Sequence, residues 1–304
     1  MTSIDIPSGT ASLRDASARS AIALPGWGAV AFGALFVVAG AGVIAGVTLG
    51  SAASVHGPRW VAIAAGAIFL CAGLWVSGNG VADVLRKREA ARAAALSPAT
   101  PWTWDYHRRA DGIASQSTRE ITAAFGITLF VALFALPFQW IGFVAKDASR
   151  AFTVGAVLMD FAVVGLLARA VRLVLMRRRY GRSWLRFAHF PFRAGERVGL
   201  SLDSFGQLSL LPSLTATLRC VQERYETRGS GRERTTEVVC YALWSSTTTV
   251  EKNRKGFFEL AFDLPATVPA TSLSERPARY WELLLASGDV PGVDYAARFL
   301  VPVY

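Results

Sequence analysis

The chain has 304 residues, of which 52% are hydrophobic and 18% charged, with a formal net charge of +10. The apolar excess lies before Arg177 in four long runs, which excludes an ordinary soluble domain over that part and favours a membrane protein. The basic charge sits beside those runs, which points to an anionic membrane face rather than to nucleic acid.

Residues 1–23 are polar, rich in small side chains and without periodicity, and read as a flexible cytoplasmic tail. The apolar run that follows is too long for a signal-peptide core. The first predicted span is 26–50. It carries Gly42, Gly46 and Gly50 four residues apart, a spacing that lets a second helix approach closely. The loop 51–59 is too short for anything but an antiparallel hairpin. The second span is 60–84, with Trp60 at its start and small or polar positions at Gly66, Gly73, Ser77 and Gly80.

Residues 85–120 form the first long polar segment. Its alanine-rich beginning, 86–96, is expected to continue the second helix until Pro98 and Pro101 stop it. Trp102, Trp104 and Tyr106 follow, beside the basic Arg108 and Arg109. Such a cluster suits a segment lying at the lipid headgroups, or one that binds a ligand. The third predicted span is 121–144, with Pro137 expected to kink its far end. The fourth is 151–176 and ends in Arg177, Arg178 and Arg179. The short loops hold Arg59, Lys146 and Arg150, while the other side holds the remaining basic residues near the spans. The bias predicts a multi-pass membrane protein with both termini and the long loop cytoplasmic.

Asp160 is the one ionisable residue well inside any predicted span. A charge at that depth costs about 3 kcal/mol on insertion scales. Arg169 is nine residues away, about 13 Å along a helix, too far for direct pairing. Asp160 is therefore expected to be neutral or to face polar groups such as Gln139, Thr128 or Ser77. An acid in such a place suits either a hydrogen bond between helices or a transport path.

Residues 182–304 have the size of one domain and show alternating apolar runs split by Pro, Gly, Asp and Ser. Seven strands are predicted, at 184–190, 195–202, 214–227, 234–248, 256–264, 279–285 and 294–303. That pattern argues an antiparallel β-sandwich. The whole chain is thus expected to be an α+β membrane protein: a tail (1–23), a four-helix transmembrane bundle (24–181, with the loop 85–120) and a cytoplasmic sandwich (182–304). A hairpin turning at Gly229–Gly231, with Gly231 left-handed, would set Cys220 opposite Cys240 and Glu223 opposite Glu237. The second pairing is unfavourable, so a one-residue bulge is an alternative. Three cysteines are too few for a disulfide scaffold, and cytoplasmic thiols are expected free.

From about Trp102 to Tyr304 the chain resembles a family of uncharacterised bacterial inner-membrane proteins, a domain of unknown function. The residues that carry this are Leu218-Arg219-Cys220, Phe262-Asp263-Leu264-Pro265, Tyr280-Trp281-Glu282-Leu283 and Val290-Pro291-Gly292 with Tyr295 and Phe299. The closing strands also resemble an arrestin-like or immunoglobulin-like β-sandwich. Both resemblances imply a fold and no catalytic residue.

His56, His107 and His189 are scattered and lack metal-ligand spacing. No nucleophile elbow, phosphate loop or dinucleotide fingerprint is present. No cofactor, metal or enzymatic activity is therefore expected. The candidate functional residues are Asp160, Gln139, Trp102, Trp104, Arg108 and Arg109. The function expected is a non-enzymatic anchor or scaffold that offers its sandwich to a protein partner, or else a transport-related component using Asp160.

Overall fold

A computed structural model describes residues 12–13, 16, 26–50, 59–106, 109–144, 150–203, 208, 211–229, 235–253, 256–275, 277–287 and 294–304. His107, Arg108, Gly231 and the Pro291–Gly292 turn lie outside them. The chain forms two compact units: Ala23–Arg88 with Arg119–Leu173, and Glu89–Thr118 with Val174–Tyr304 and the described residues of Met1–Ile22.

The first unit is helical. Its elements are α1 (Gly26–Leu49), most of α2 (Arg59–Leu96), α4 (Ser117–Gln139) and most of α5 (Arg150–Tyr180). The stretches Gly26–Leu49, Arg59–Leu96, Glu120–Val144 and Arg150–Tyr180 are each long and apolar enough to cross a membrane. Helix α2 continues to Leu96, as its alanines require.

Helices α1 and α2 meet through glycines spaced by seven. Seven residues make nearly two turns, so Gly26, Gly33 and Gly40 share one face of α1, and Gly66, Gly73 and Gly80 one face of α2. A Cβ on Gly33 would stand 2.6 Å from the Gly73 carbonyl oxygen, and one on Gly40 2.5 Å from that of Gly66. This corrects the expected stripe. Gly42 and Gly46 face open space, because the four-residue spacing lies on another side of α1. Phe36, Phe69 and Phe134 extend the packing from α1 through α2 to α4, with ring centroids 5.6 and 6.5 Å apart.

Pro137 lies inside α4, where it removes one backbone donor. The chain then widens into a π turn at Trp140–Val144.

The second unit holds eight strands in two antiparallel four-stranded sheets. The order is β1-β2-β3-β6 in one and β5-β4-β7-β8 in the other. The strands are β1 (Gly112–Ala114), β2 (Trp184–Phe187), β3 (Arg197–Asp203), β4 (Ser213–Arg228), β5 (Thr235–Glu251), β6 (Phe258–Asp263), β7 (Arg279–Ser287) and β8 (Tyr295–Val301). Seven correspond to the predicted runs. The eighth, β1, comes from the polar loop before α4 and pairs with β2. At three residues it is too short to show alternation.

Leu185, Val198, Leu200, Leu202, Phe258 and Leu260 from one sheet meet Leu214, Leu218, Trp281, Leu283 and Phe299 from the other in one apolar core. Helix α5 ends where Gly181 turns left-handed at φ 75° and donates back to the Arg177 carbonyl. Tyr180 then packs edge-on against Tyr295, whose hydroxyl donates to Ser183 Oγ at 2.9 Å.

Candidate functional site

In the helical unit, Gln139 and Asp160 meet. Gln139 closes α4 and Asp160 lies about a third of the way along α5. The Gln139 Nε2 donates to Asp160 Oδ1 at 2.5 Å and towards the Ala156 carbonyl at 3.4 Å. One turn away, Thr153 Oγ1 donates to the Gly142 carbonyl of the π turn at 2.9 Å. Of the three partners expected for Asp160, Gln139 fills the place. Thr128 instead bonds the Ala124 carbonyl of its own helix, and Ser77 bonds Val30 across to α1. The Asp160 side chain is on an exposed face of α5.

The aromatic segment is built into the sandwich unit. The Trp102 ring lies 6.3 Å from that of Tyr304, and the Trp104 indole donates to the Ser97 carbonyl at 3.3 Å. Arg109 reaches Asp111 at 3.3 Å and stands 5.7 Å over the Trp184 ring. Between them sits Asp105, to which sequence reasoning gave no role. It is 5% exposed and accepts from the backbone of Leu273 and Ser274 and from the Tyr304 hydroxyl. The Asp in Trp-Thr-Trp-Asp-Tyr carries no signal of its three partners, which lie about 170 to 200 residues away.

The second sheet holds a buried ion network. Arg219 on β4 pairs with Glu282 on β7 at 2.7 Å, and Arg298 on β8 approaches the same carboxylate at 3.6 Å. By the two-residue period of β4 and β7, these groups lie on the face opposite Leu218 and Leu283, together with Val221, Glu223 and Tyr280. All of these but Arg298 are buried. The sheet is therefore covered on both sides over this stretch. Further along, Thr217 and Thr247 join hydroxyls at 2.9 Å on a more open surface.

The expected cysteine pairing is corrected by register. Cys220 stands opposite Trp244, and Glu223 opposite Cys240. Leu243 is the extra residue of a bulge between Cys220–Trp244 and Val221–Ala242. Nearer the turn Arg228 pairs with Thr235, so six residues separate the paired strands where three were expected; this register, and not the bulge, removes the Glu223–Glu237 opposition and sets Glu226 opposite Glu237. The cysteines are free thiols, with Cys220 and Cys240 buried. Burial pushes the Cys220 thiol up to about 12. Burial, then the nearby Glu223 carboxylate, pushes Cys240 to about 11. Neither is a reactive nucleophile at neutral pH.

The long margin of this sheet is β5, with 17 residues. Among the described residues, a short segment meets its outer side, where Ser12 bridges Tyr241 and the Leu13 amide donates to the Cys240 carbonyl at 2.8 Å, and just past its end Lys252 bridges Phe258 of β6. The other margins differ. Strand β1 has three residues and β6 six. Beyond β8, Val303 pairs with Phe192, and the Gln116 amide reaches the Arg298 carbonyl at 3.4 Å. Among the described residues no group of three or more His, Cys, Asp and Glu side chains is placed to hold a metal ion.

No protein-family model matches the chain, and no curated protein matches it. The expected membership of an uncharacterised family is therefore not shown. Among solved structures the chain is similar to the sporulation control protein Spo0M from Bacillus subtilis, at 13% identity and a TM-score of 0.27. The match covers 40% of this chain and about half (48%) of that protein. Likeness at this level carries no argument about what the chain does.

Proposed function

We propose that this is a non-enzymatic integral membrane protein that anchors a β-sandwich and offers it to a protein partner. Four apolar helices support the anchoring part of this reading. The distribution of arginines supports both termini lying in the cytoplasm. The observation that carries the binding part is β5, a 17-residue margin whose outer side is met, among described residues, by the short segment at Ser12–Leu13 and, just past its end, by β6 through Lys252–Phe258. Proteins seldom leave so long a strand edge without a use or a cover. Crosslinking and mass spectrometry on native membranes test it. Crosslinks from one reproducible protein to residues 235–251 support the reading; a partner that crosslinks only to other surfaces, or no reproducible neighbour, overturns it. A reporter fused after Tyr304 tests the orientation and must be active on the cytoplasmic side.

A second reading, a transport-related component using Asp160, is favoured by the Gln139–Asp160 contact between two largely apolar helices. Proton or ion flux in proteoliposomes that disappears in Asp160→Asn would favour it over the scaffold.

A further inference from the structure

Five arginines follow Asp160 along α5: Arg169, Arg172, Arg177, Arg178 and Arg179. Arg177 donates to Thr118 Oγ1 at 2.7 Å, and the Arg179 guanidinium stands 5.3 Å from the centre of the Tyr180 ring. Arg169 and Arg172 are exposed, and no acid among the described residues pairs with either. Asp160 stands nine residues before Arg169, about two and a half turns, and so lies on the opposite side of the helix. The cations that end the apolar part of α2 differ. There Asp83 holds Lys87 at 2.7 Å, and Arg86 bonds the Ala82 carbonyl at 3.2 Å.

A three-residue step keeps Arg169 and Arg172 on one helix face, with Cβ atoms about 5–6 Å apart. Arg169 lies nineteen residues beyond Arg150, about 28 Å along the axis, close to the ~30 Å of a bilayer's hydrocarbon core. On the membrane reading the pair therefore stands where acyl chains give way to phosphates. A guanidinium fork matches two phosphate oxygens at once, and here no acid of the chain competes for it among the described residues. On the same face, about one and two turns towards the helix start, lie Gly165 and Ala162, both exposed. A Cβ on Gly165 would meet nothing within 4 Å, which leaves room beside the backbone for an acyl chain.

We infer that Arg169 and Arg172 bind the headgroup of an anionic phospholipid, whose acyl chain lies along Ala162 and Gly165. The inference rests on the membrane reading of the four helices and goes beyond it by naming a ligand. Charge complementarity decides which lipid. A zwitterionic headgroup carries its own cation, which two guanidiniums repel. The headgroup of phosphatidylglycerol leaves the phosphate charge uncompensated. Arg178 is the internal control: it is exposed and equally charged, but nine residues from Arg169 and so on the opposite side of the helix.

The test titrates the detergent-purified full chain with phosphatidylglycerol and, separately, with phosphatidylcholine, following bound lipid by native mass spectrometry. The wild type is expected to bind phosphatidylglycerol about tenfold or more tightly than phosphatidylcholine. Arg169→Gln and Arg172→Gln should each weaken phosphatidylglycerol binding about fivefold, and the double variant about twentyfold. Phosphatidylcholine binding should stay as it was, and Arg178→Gln should change neither affinity. Glycerol 3-phosphate, which has the phosphate without the chains, should not compete. Unchanged circular dichroism and thermal melting of the variants separate lost binding from lost fold, and the wild-type comparison needs no variant.

Equal wild-type affinity for the two lipids overturns the inference, and so does undiminished phosphatidylglycerol binding by the double variant. A loss in Arg178→Gln as large as that in Arg169→Gln would show a diffuse positive field and no site. Competition by glycerol 3-phosphate would assign the arginines to a soluble phosphate and overturn the lipid. The membrane reading fails separately. Release of the chain from native membranes by alkaline carbonate would remove that reading, whereas a retained chain without lipid preference removes only the site.

Discussion

Asp105 accepts the hydroxyl of Tyr304 at 2.8 Å, joining the short helix α3 (Trp102–Asp105) to the last residue of the chain. The same carboxylate takes the amides of Leu273 at 2.8 Å and Ser274 at 2.6 Å. It thus satisfies three donors from two distant stretches. Asp105→Ala leaves them without their acceptor, and each buried unpaired polar group costs about 1–3 kcal/mol. A loss of about 3 kcal/mol is expected in denaturant titration of the solubilised protein. Tyr304→Phe removes one of the three bonds and should cost about 1 kcal/mol. Equal losses for the two changes would show that the backbone contacts contribute nothing.

The glycine contact between α1 and α2 predicts a contrast within one helix. Gly33→Leu would drive its side chain into the Gly73 carbonyl and Ser77, so the helices must separate. Gly42→Leu meets nothing within 4 Å. Overpacking costs about 1–3 kcal/mol where neighbours can shift, and backbone cannot shift easily. Disulfide trapping between α1 and α2 should therefore fail in Gly33→Leu and Gly73→Leu and persist in Gly42→Leu and Gly46→Leu.

That contrast also shows what the sequence conveys. Span positions and strand runs were legible because apolar runs and alternation depend on local composition. The choice between glycines four apart and glycines seven apart was not, because both sets are small and only the partner helix tells them apart. Likewise the Cys220–Cys240 pairing followed from counting back from a three-residue turn, whereas six residues separate Arg228 from its partner Thr235 and the bulge at Leu243 adds one more. Asp160 and Gln139 were legible because polar groups in an apolar span must find one another. The partners of Asp105 were not, since the contact links segments with no common pattern.

At the Asp160–Gln139 contact, Asp160→Asn keeps the shape and a hydrogen-bonding side chain. It should leave folding and insertion intact. Gln139→Leu withdraws the amide that donates to the carboxylate. Hydrogen bonds between helices in lipid contribute about 1 kcal/mol, so a loss of that order is expected for Gln139→Leu in unfolding from mixed micelles. Loss of Asp160→Asn from the membrane fraction would contradict this assignment.

The buried thiols predict a weakening at alkaline pH. In the folded chain Cys220 and Cys240 hold their protons up to about 12 and 11, against 9.0 for an ordinary thiol. Below pH 9 both folded and unfolded states are protonated, and their contribution is fully present. Between pH 9 and 11 the unfolded state alone loses protons, so stability falls as pH rises. Tyr304 is raised in the same direction, by burial first and then by the Asp105 charge, and adds to the loss above pH 10. Cys220→Ser or Cys240→Ser should flatten the slope of stability against pH between 9 and 11. At neutral pH, alkylation of Cys220 and Cys240 should require unfolding.

The buried Arg219–Glu282 pair yields the sharpest test of how the second sheet is held. Glu282 is fully buried between two arginines, Arg219 at 2.7 Å and Arg298 at 3.6 Å. Removing the acid alone takes its 2.7 Å carboxylate partner from a buried guanidinium, since Arg219 is 6% exposed. Such a cut costs about 3–5 kcal/mol. Glu282→Leu is therefore expected to destabilise the protein by that amount. Arg298 is less enclosed, at 18%, and lies on the outermost strand, so it can turn to water. Arg219→Met together with Glu282→Leu replaces both buried charges with apolar groups of similar length. Such replacements are neutral or stabilising in other proteins, so the double variant should recover most of the loss. A double-mutant cycle in denaturant measures it. If the double variant is as unstable as Glu282→Leu alone, the loss comes from packing around β7 and not from the buried charge.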